Sequence, residues 1–286
     1  MISMTVVTSA LELGFVYALV ALALFLSFRI LNIADMTTDG AFTLGCAVSA
    51  TVAVAGHPFL ALPAAMLAGA AAGVITATLQ TRFRVPSILA GIITNTGLYT
   101  VNLAVMGWSS NVNMMKVQTI FSLLGAQYKI IPAAVITLVA AVLLVLFLNT
   151  RLGLSIRATG DNPDMVRASS INTGLTITIG LALSNSLTAL SGAVLAQYQK
   201  TADINLGTGM VVIGLASLII GETIFRGRSL WLRALGAVFG CIIYRFIIAI
   251  ALRLDLPSEC LKLVSAVIVA IAIALPAIRK GGKVKC

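Results

Sequence analysis

Long apolar runs alternate with short polar connections along almost the whole chain. A membrane-spanning helix needs about 20 mostly apolar residues. Nine runs reach or approach that length, so we predict an all-α, polytopic membrane helix bundle. The second and seventh runs are short and contain glycine, which predicts helices that are tilted, broken or buried within the bundle. The nine predicted spans are 5–28, 39–55, 59–81, 87–107, 130–149, 174–199, 208–222, 231–252 and 260–278.

Composition supports a membrane protein. Hydrophobic residues make up 59% of the 286 residues and charged residues only 10%, more apolar surface than a soluble fold of this size could hide from water. The strict alternation of an outer-membrane barrel is absent. We expect one transmembrane domain over 1–286, with a first half at 1–149, a polar loop at 150–172, a second half at 173–278 and a tail at 279–286.

Lysine and arginine predict the orientation of the chain in the cell membrane. Thirteen of the 19 basic residues fall on the side of the 150–172 loop and four on the other. Cytoplasmic connections carry the excess of basic residues, so we predict an external N-terminus and a cytoplasmic loop and C-terminus. The net charge of +10 then comes from basic residues that flank the spans next to membrane lipid. We therefore predict no nucleic-acid partner. The thirteen are Arg29, Arg82, Arg84, Arg151, Arg157, Arg167, Arg226, Arg228, Arg233, Arg279, Lys280, Lys283 and Lys285.

Two short similarities indicate an internal repeat. RFRVPS at 82–87 resembles RLDLPS at 253–258, and NIAD at 32–35, followed by Asp39 and Gly40, resembles DINL at 203–206, followed by Thr208 and Gly209. Both pairs are offset by about 170 residues, and the predicted topology puts their members on opposite sides. This pattern is typical of an inverted repeat, in which a transport path runs between oppositely oriented halves.

The 150–172 loop is a polar island in this apolar chain. Asn162 is a residue type that caps helix N-termini, and Pro163 fits a first helical turn. We therefore predict one or two helical turns at 165–170, with Gly153 and Gly160 permitting sharp bends on either side. Such a helix could dock in a groove of a partner protein. The alternative is an ordinary solvated loop that carries topology charges.

Glu12 and Arg245 are predicted to lie inside spans, each about 10 Å deep at 1.5 Å per residue. Charges at the bilayer centre cost roughly 2.5–3.5 kcal/mol on insertion scales. The two side chains could form an ion pair, or line an external vestibule that reads charged groups of a solute. Snorkelling of Arg245 to the interface is the plainer alternative.

Asparagines form a second set of polar residues inside spans. Asn95 and Asn102 are seven residues apart and share a helical face, and Asn185 lies in a later span. Such side chains either join helices by hydrogen bonds or line a polar path through the membrane.

The residues that metal or catalytic sites need are sparse. His57 is the one histidine and precedes Pro58 in a predicted turn, and the four cysteines are scattered without a paired spacing. We expect no metal site, no cofactor and no enzymatic activity.

Three segments resemble one family. RATGDNP at 157–163, followed by ASSIN at 168–172, resembles the coupling segment in permease subunits of ABC importers of the branched-chain amino-acid and ribose type. Ser170 stands where that family usually has glycine. LNIAD at 31–35 and LSGAVL at 190–195 resemble two further segments of the family. The resemblance covers nearly the whole chain in order, and it is closest to single-permease systems paired with a lipoprotein receptor.

The resemblance implies the permease subunit of an ATP-driven importer for a small polar solute, an amino acid or else a sugar. It further implies a homodimer, two copies of an ABC ATPase subunit and an extracytoplasmic substrate-binding protein. The chain has no Walker A motif, so ATP would be hydrolysed by the separate ATPase. A self-contained secondary transporter or channel is the rival, and neither needs a coupling segment. The implied coupling residues are Arg157, Gly160, Asn162, Pro163, Met165 and Arg167.

Overall fold

The computed structural model describes residues 4–123, 129–225 and 229–253, with Val267 and Ala270. The predicted span at 260–278 and the tail at 279–286 therefore lie almost entirely outside the described residues. The helices are α1 (Met4–Leu24, continued by a π-helical segment, Phe25–Ile30), α2 (Thr38–Val54), α3 (Ala61–Thr81), α4 (Ser87–Val105), α5 (Ile120–Leu123), α6 (Ile130–Leu148), α7 (Arg151–Asp161), α8 (Pro163–Ala168), α9 (Thr173–Gln199), α10 (Met210–Ile224) and α11 (Leu230–Arg253); the strands are β1 (Asn111–Asn113) and β2 (Thr201–Asp203).

The predicted helical membrane bundle is confirmed. Six helices of the described chain are long and apolar enough to cross a membrane, namely α1 with its π-helical continuation, α3, α4, α6, α9 and α11. The two spans predicted to be short are the 17-residue α2 and the 15-residue α10. Most of α2 is buried, as expected for a helix inside the bundle.

Helix α9 is the central element, and serines fasten it to α1. The Ser184 hydroxyl donates to the Ala23 carbonyl at 2.8 Å, and the Ser191 hydroxyl donates to the Val16 carbonyl at 2.7 Å. The partner number falls as the serine number rises, so α1 and α9 are antiparallel. A serine that bonds a neighbouring backbone occupies little volume, which lets two helices approach closely.

On another side of α9, small residues bring α2 into backbone contact. Gly192 faces the Phe42 carbonyl with no room for a Cβ, and Gly45 packs in the same way against the Ala189 backbone. The Ser49 hydroxyl donates to the Ala193 carbonyl at 3.1 Å. Hydrocarbon gives little hydrophobic drive for helix association, so such close packing replaces it.

The helix ends form two faces. On the loop face, α7 contacts Ile30 at the end of α1 through Gly160, and Arg29 forms an ion pair of 2.8 Å with Glu222 near the end of α10. On the opposite sheet face, β1 pairs antiparallel with β2, and Gln197 Nε2 donates to the Pro58 carbonyl at 2.9 Å. The described basic residues divide between these faces as predicted, while the assignment of the loop face to the cytoplasm stays a prediction.

Helices α2 and α10 both begin in the interior of the bundle. The segment before α2 reaches the middle of α9, where Asn185 donates to Asp35 at 2.7 Å, about 18 Å from the first residue of α9 at 1.5 Å per residue. From there α2 runs to the sheet face, where Thr51 contacts the Val105 carbonyl. Helix α10 runs to the loop face, where Glu222 meets Arg29.

The order of elements agrees with an inverted repeat. A long helix is followed by a non-helical segment, a short helix and a second long helix. This order occurs first in α1, α2 and α3 and again in α9, α10 and α11. The first members of the two sets, α1 and α9, are antiparallel. Asp39 also contacts Gly209, which is the counterpart of Gly40 in the sequence similarity. The two similar segments thus meet where the two halves join.

The α2–α9 contact yields a stability prediction. Gly192→Ala should force the two backbones apart and lower stability by about 1–3 kcal/mol, the usual cost of overpacking. The control is Leu67→Ala in α3, whose side chain is 73% exposed and which should change stability by no more than about 0.5 kcal/mol. Heating detergent-purified protein and measuring the monodisperse fraction gives both melting points. Equal melting points would show that this contact does not hold α2 against α9.

Candidate functional site

The starts of α2 and α10 meet inside the bundle, and a carboxylate joins them. Asp39 lies in the first turn of α2. Its Oδ2 accepts from the Gly209 N–H and its Oδ1 from the Val211 N–H, both at 2.9 Å. The Thr43 hydroxyl accepts from the Gly207 N–H at 3.1 Å. Helix N-termini leave N–H groups unpaired and carry partial positive charge, so α2 supplies the cap of α10.

A polar cavity of about 320 Å³ opens beside this junction. That volume is at the lower end of the range for small-molecule sites, about 300–1,000 Å³. The walls come from α2, from α4 and from the segment before α10. The lining residues are Asp39, Gly40, Thr43, Asn95, Thr96, Tyr99, Asn102, Ile204, Asn205, Gly207 and Thr208.

The structure brings the predicted Asn95 and Asn102 together in this cavity. Asn102 is only 1% exposed, and its Nδ2 donates to the Gly40 carbonyl at 3.2 Å. Its Oδ1 is buried and has no hydrogen-bond partner in the described part of the chain. A buried polar atom without a partner costs about 1–3 kcal/mol. The place of both asparagines in a solute path stays a prediction.

Asn185 lies elsewhere and has a different environment. Its Nδ2 donates to Asp35 Oδ2 at 2.7 Å and to the Leu181 carbonyl at 3.0 Å. Asp35 in turn accepts from the Thr37 N–H at 2.9 Å. Asn185 is not among the described residues that line the cavity. It joins α9 to the segment before α2, which is the helix-joining alternative that the sequence left open.

The expected ion pair between Glu12 and Arg245 does not form. Glu12 Oε2 accepts from the Tyr198 hydroxyl at 2.7 Å. The Arg245 guanidinium carbon lies 3.6 Å from the centroid of the Tyr17 ring. An aromatic face attracts a cation without needing a second desolvated charge, so each ionisable side chain has a tyrosine partner. Neither residue lines the cavity.

On the loop face, the predicted helix cap is confirmed. Asn162 Oδ1 accepts from the N–H groups of Asp164 and Met165, both at 3.1 Å, and Pro163 is the first residue of α8. Val166 is buried and anchors α8 to the bundle. The Met165 side chain is 65% exposed, and Arg167 is exposed beside it. A short helix therefore presents side chains away from the bundle, as the docking interpretation requires.

The bends predicted at Gly153 and Gly160 are wrong. Both glycines lie inside α7, an 11-residue helix that the sequence analysis did not predict. Gly160 packs against the Ile30 carbonyl and Gly153 against the backbone before α7, each without room for a Cβ. Glycine here serves close packing rather than a turn. The half-buried Arg157 lies on the same helix.

Side chains fasten both loop-face helices to α9. The Thr159 and Thr176 hydroxyls are 2.9 Å apart, which links α7 to α9. Arg167 Nε donates to the Thr173 hydroxyl at 3.1 Å, which links α8 to the first residue of α9. These two hydrogen bonds connect α7 and α8 directly to the central helix.

Ser170 explains why the family pattern favours glycine at this position. Its φ is +60°, in the left-handed region where a side chain costs roughly 1–2 kcal/mol. Ser170→Gly should leave the fold intact and raise the melting temperature of the purified protein, whereas Ser170→Val should lower it. Thermal melting of the two variants beside the unchanged chain measures both effects. A stabilising valine would contradict the left-handed assignment.

Comparison with known proteins agrees with this architecture. Residues 6–275 match the family model described as the branched-chain amino acid transport system/permease component. The chain is 34% identical over 267 residues to a tyrosine transport system permease protein of Clostridioides difficile, covering 93% of this chain and 90% of the relative. It is 23% identical over 250 residues to the ribose import permease protein RbsC of Haemophilus influenzae, covering 84% and 75%.

A third relative is the uncharacterized protein RP368 of Rickettsia prowazekii, 34% identical over 275 residues, with 95% of this chain and 98% of the relative covered. No solved structure matches the chain. The family match spans nearly all of the described bundle, including the cavity and α7–α8. The chain therefore belongs to the branched-chain amino-acid and ribose-type family of ABC importer permeases.

Proposed function

We propose that this permease imports an amino acid across the cell membrane. The observation that carries the proposal is the acidic, amide-rich cavity at the junction of α2 and α10, which offers hydrogen bonds to a small polar solute. The relative named as a tyrosine transport permease supports an amino acid. Relatives named as ribose import permeases make a sugar the second candidate.

The open side of the cavity supports a homodimer. Thr96 and Tyr99 line the cavity and are exposed on α4, Tyr99 to 54%. A polar cavity that faced lipid would leave the partly exposed Asp39 and Asn95 beside hydrocarbon, which is unfavourable. The same helix carries an apolar exposed surface that a second copy could cover. This surface includes Ile88, Leu89, Ile92, Ile93 and Val101.

The loop face would receive the ATPase. In the proposed role, Met165 and Arg167 supply contact surface, Asn162 and Pro163 shape α8, and Gly160 seats α7 against α1. Arg157 adds positive charge on α7. Two ATPase subunits would each engage one copy of α7–α8 and hydrolyse the ATP, so the permease itself would perform no chemistry.

The sheet face would receive the substrate-binding protein, in this family subset a lipoprotein receptor. Trp108 and Met115 are large, strongly exposed side chains on this face. Exposed aromatic residues and methionines are enriched at protein interfaces. Their position on the opposite face from α7–α8 suits a partner that delivers solute from outside.

A charge placed on α8 tests the docking proposal. Met165→Glu should abolish co-purification of the ATPase and ATP-driven uptake of tyrosine into cells, because it desolvates a carboxylate in an apolar contact. Permease levels should stay normal, since Met165 is largely exposed. Lys116→Glu on the opposite face is the control for ATPase binding. Thr173→Val separately removes the hydrogen bond from Arg167. It tests the link between α8 and α9 rather than the contact between α8 and the ATPase.

Unchanged co-purification in Met165→Glu would show that α8 is only a solvated connection. If Thr173→Val loses uptake but binds the ATPase normally, the hydrogen bond between Arg167 and Thr173 is needed to pass the movement of α8 to α9. These two results distinguish a docking surface from a link to α9.

Thiol labelling tests the orientation. The single-cysteine changes Ser169→Cys on the loop face and Lys116→Cys on the sheet face are compared in a background that lacks the native cysteines. A membrane-impermeant maleimide applied to intact cells should label the cysteine at 116 and miss that at 169, because the loop face carries most of the basic residues. Permeabilisation should then expose the second site. The reverse pattern would invert the topology.

A further inference from the structure

An apolar groove of about 420 Å³ runs along α6, away from the polar cavity. Its wall on α6 extends from Val135 to Phe147, and every described residue that lines the groove is apolar. Leu143 belongs to this wall and is 60% exposed, so the groove opens sideways from the bundle toward lipid. The opposite wall includes three leucines of α9, Leu183, Leu187 and Leu190.

Helix α6 is fastened to α1 rather than to α9. The Thr137 hydroxyl donates to the Phe15 carbonyl of α1 at 2.7 Å, whereas α6 and α9 make little direct contact. An empty space would deprive both helices of dispersion contacts. Water does not suit this space, because a buried water needs two to four polar partners and the described lining offers no polar side chain. The groove therefore requires an apolar occupant.

The length of the groove matches one lipid chain. Twelve helical steps separate Val135 from Phe147, which is about 18 Å at 1.5 Å per residue. The hydrocarbon core of a bilayer is about 30 Å thick, so the acyl chains of one leaflet span about 15 Å. Phe147 is one residue from the end of α6 at the loop face. A chain anchored in the loop-face leaflet can therefore occupy the groove along most of its length.

The loop-face mouth of the groove lies at the start of α7. The Phe147 carbonyl accepts from the Thr150 hydroxyl at 2.6 Å, and Gly153 packs against the same carbonyl. Arg151 lies between these two residues and is exposed. No carboxylate in the described part of the chain forms an ion pair with Arg151. Its guanidinium has five N–H donors in a fork that fits a phosphate, so the mouth can hold an anionic headgroup.

The groove faces away from the surface proposed for the second copy. Ala72 of α3 packs in a cluster with Leu98 of α4, whereas Met66 of α3 lines the groove. Six residues at about 100° each place these two positions about 120° apart around α3. A second copy on α4 would therefore leave the groove open to lipid.

We propose that the groove binds an acyl chain of an anionic phospholipid from the loop-face leaflet, and that Arg151 holds the phosphate. The lipid fills the space between α6 and α9 and so packs against the central helix on the side that α6 leaves open. This site is separate from the polar cavity and from the α8 surface proposed for the ATPase, and it does not depend on which solute is carried.

Photolabelling of the full chain in phosphatidylcholine nanodiscs tests the site. The probe is phosphatidylglycerol whose acyl chain carries a diazirine, and cross-linked peptides are mapped by mass spectrometry. Labels should concentrate on the groove walls of α6 and α9. The same chain on phosphatidylcholine, or as a free fatty acid, should label the groove less. Labels spread evenly over all lipid-exposed helices, including α4, would overturn the proposal.

Two pairs of variants test the chain and the headgroup separately. Leu143→Trp fills the groove and should abolish its labelling. Leu138→Trp is the matched control, because Leu138 is on the same helix and 62% exposed but does not line the groove. Arg151→Gln should reduce phosphatidylglycerol binding about 5-fold, since a basic residue near the surface contributes about 1 kcal/mol toward anionic lipid. Arg82→Gln removes one charge from the same face and should leave the labelling unchanged.

Each contrary result identifies what is wrong. Groove labelling that persists in Leu143→Trp would show that the acyl chain lies elsewhere. Equal labelling by the two phospholipids, or an unchanged preference in Arg151→Gln, would overturn the phosphate contact. Stronger labelling by the fatty acid would overturn a phospholipid as the occupant, and absence of any groove labelling would show that protein fills the space. Arg151 is exposed outside the spans, so its variant keeps the proposal testable even if Leu143→Trp does not fold.

Discussion

The structure depends on one constraint, that no backbone N–H or C=O group can remain unpaired inside a membrane. Most helices here meet it by crossing the whole bundle, but α2 and α10 begin in the interior. Their first N–H groups lack helical partners and need other acceptors. Asp39 supplies two acceptors to α10, and Asp35 supplies one to the segment that enters α2. These carboxylates make interior helix ends possible, and the interior ends make the cavity.

Helix α9 connects that interior to the loop face. Its first turns hold α7 and α8 through Thr176 and Thr173, and its middle holds Asp35 through Asn185. The chain of contacts runs along one rigid, deeply buried helix. If a partner displaces α8, as the proposed coupling requires, these contacts connect the displacement to the segment that leads into α2.

Sequence reasoning found the features that are local. Apolar length gave the spans, glycine content marked α2 and α10 as unusual, and Asn162–Pro163 gave the start of α8, because caps act within four residues. It missed α7 because Gly153 and Gly160 were interpreted as bends. Only the structure shows that they pack against the backbones of Phe147 and Ile30. It missed the role of Asp39 because the groups it caps lie 170 residues away. The interpretation of Glu12 and Arg245 as a possible ion pair was wrong for the same reason. Their partners, Tyr198 and Tyr17, are far from them in the sequence.

Inversion of the two halves creates an electrostatic problem as well as a pathway. It brings the N-termini of α2 and α10 together, and each carries partial positive charge. The Asp39 carboxylate compensates both partial charges, because it lies in the first turn of α2 and caps α10. An acid at this junction is thus required by the fold before any solute is considered. A cavity that forms there is lined by that acid, so the polar character of the cavity follows from the way the membrane domain is held together.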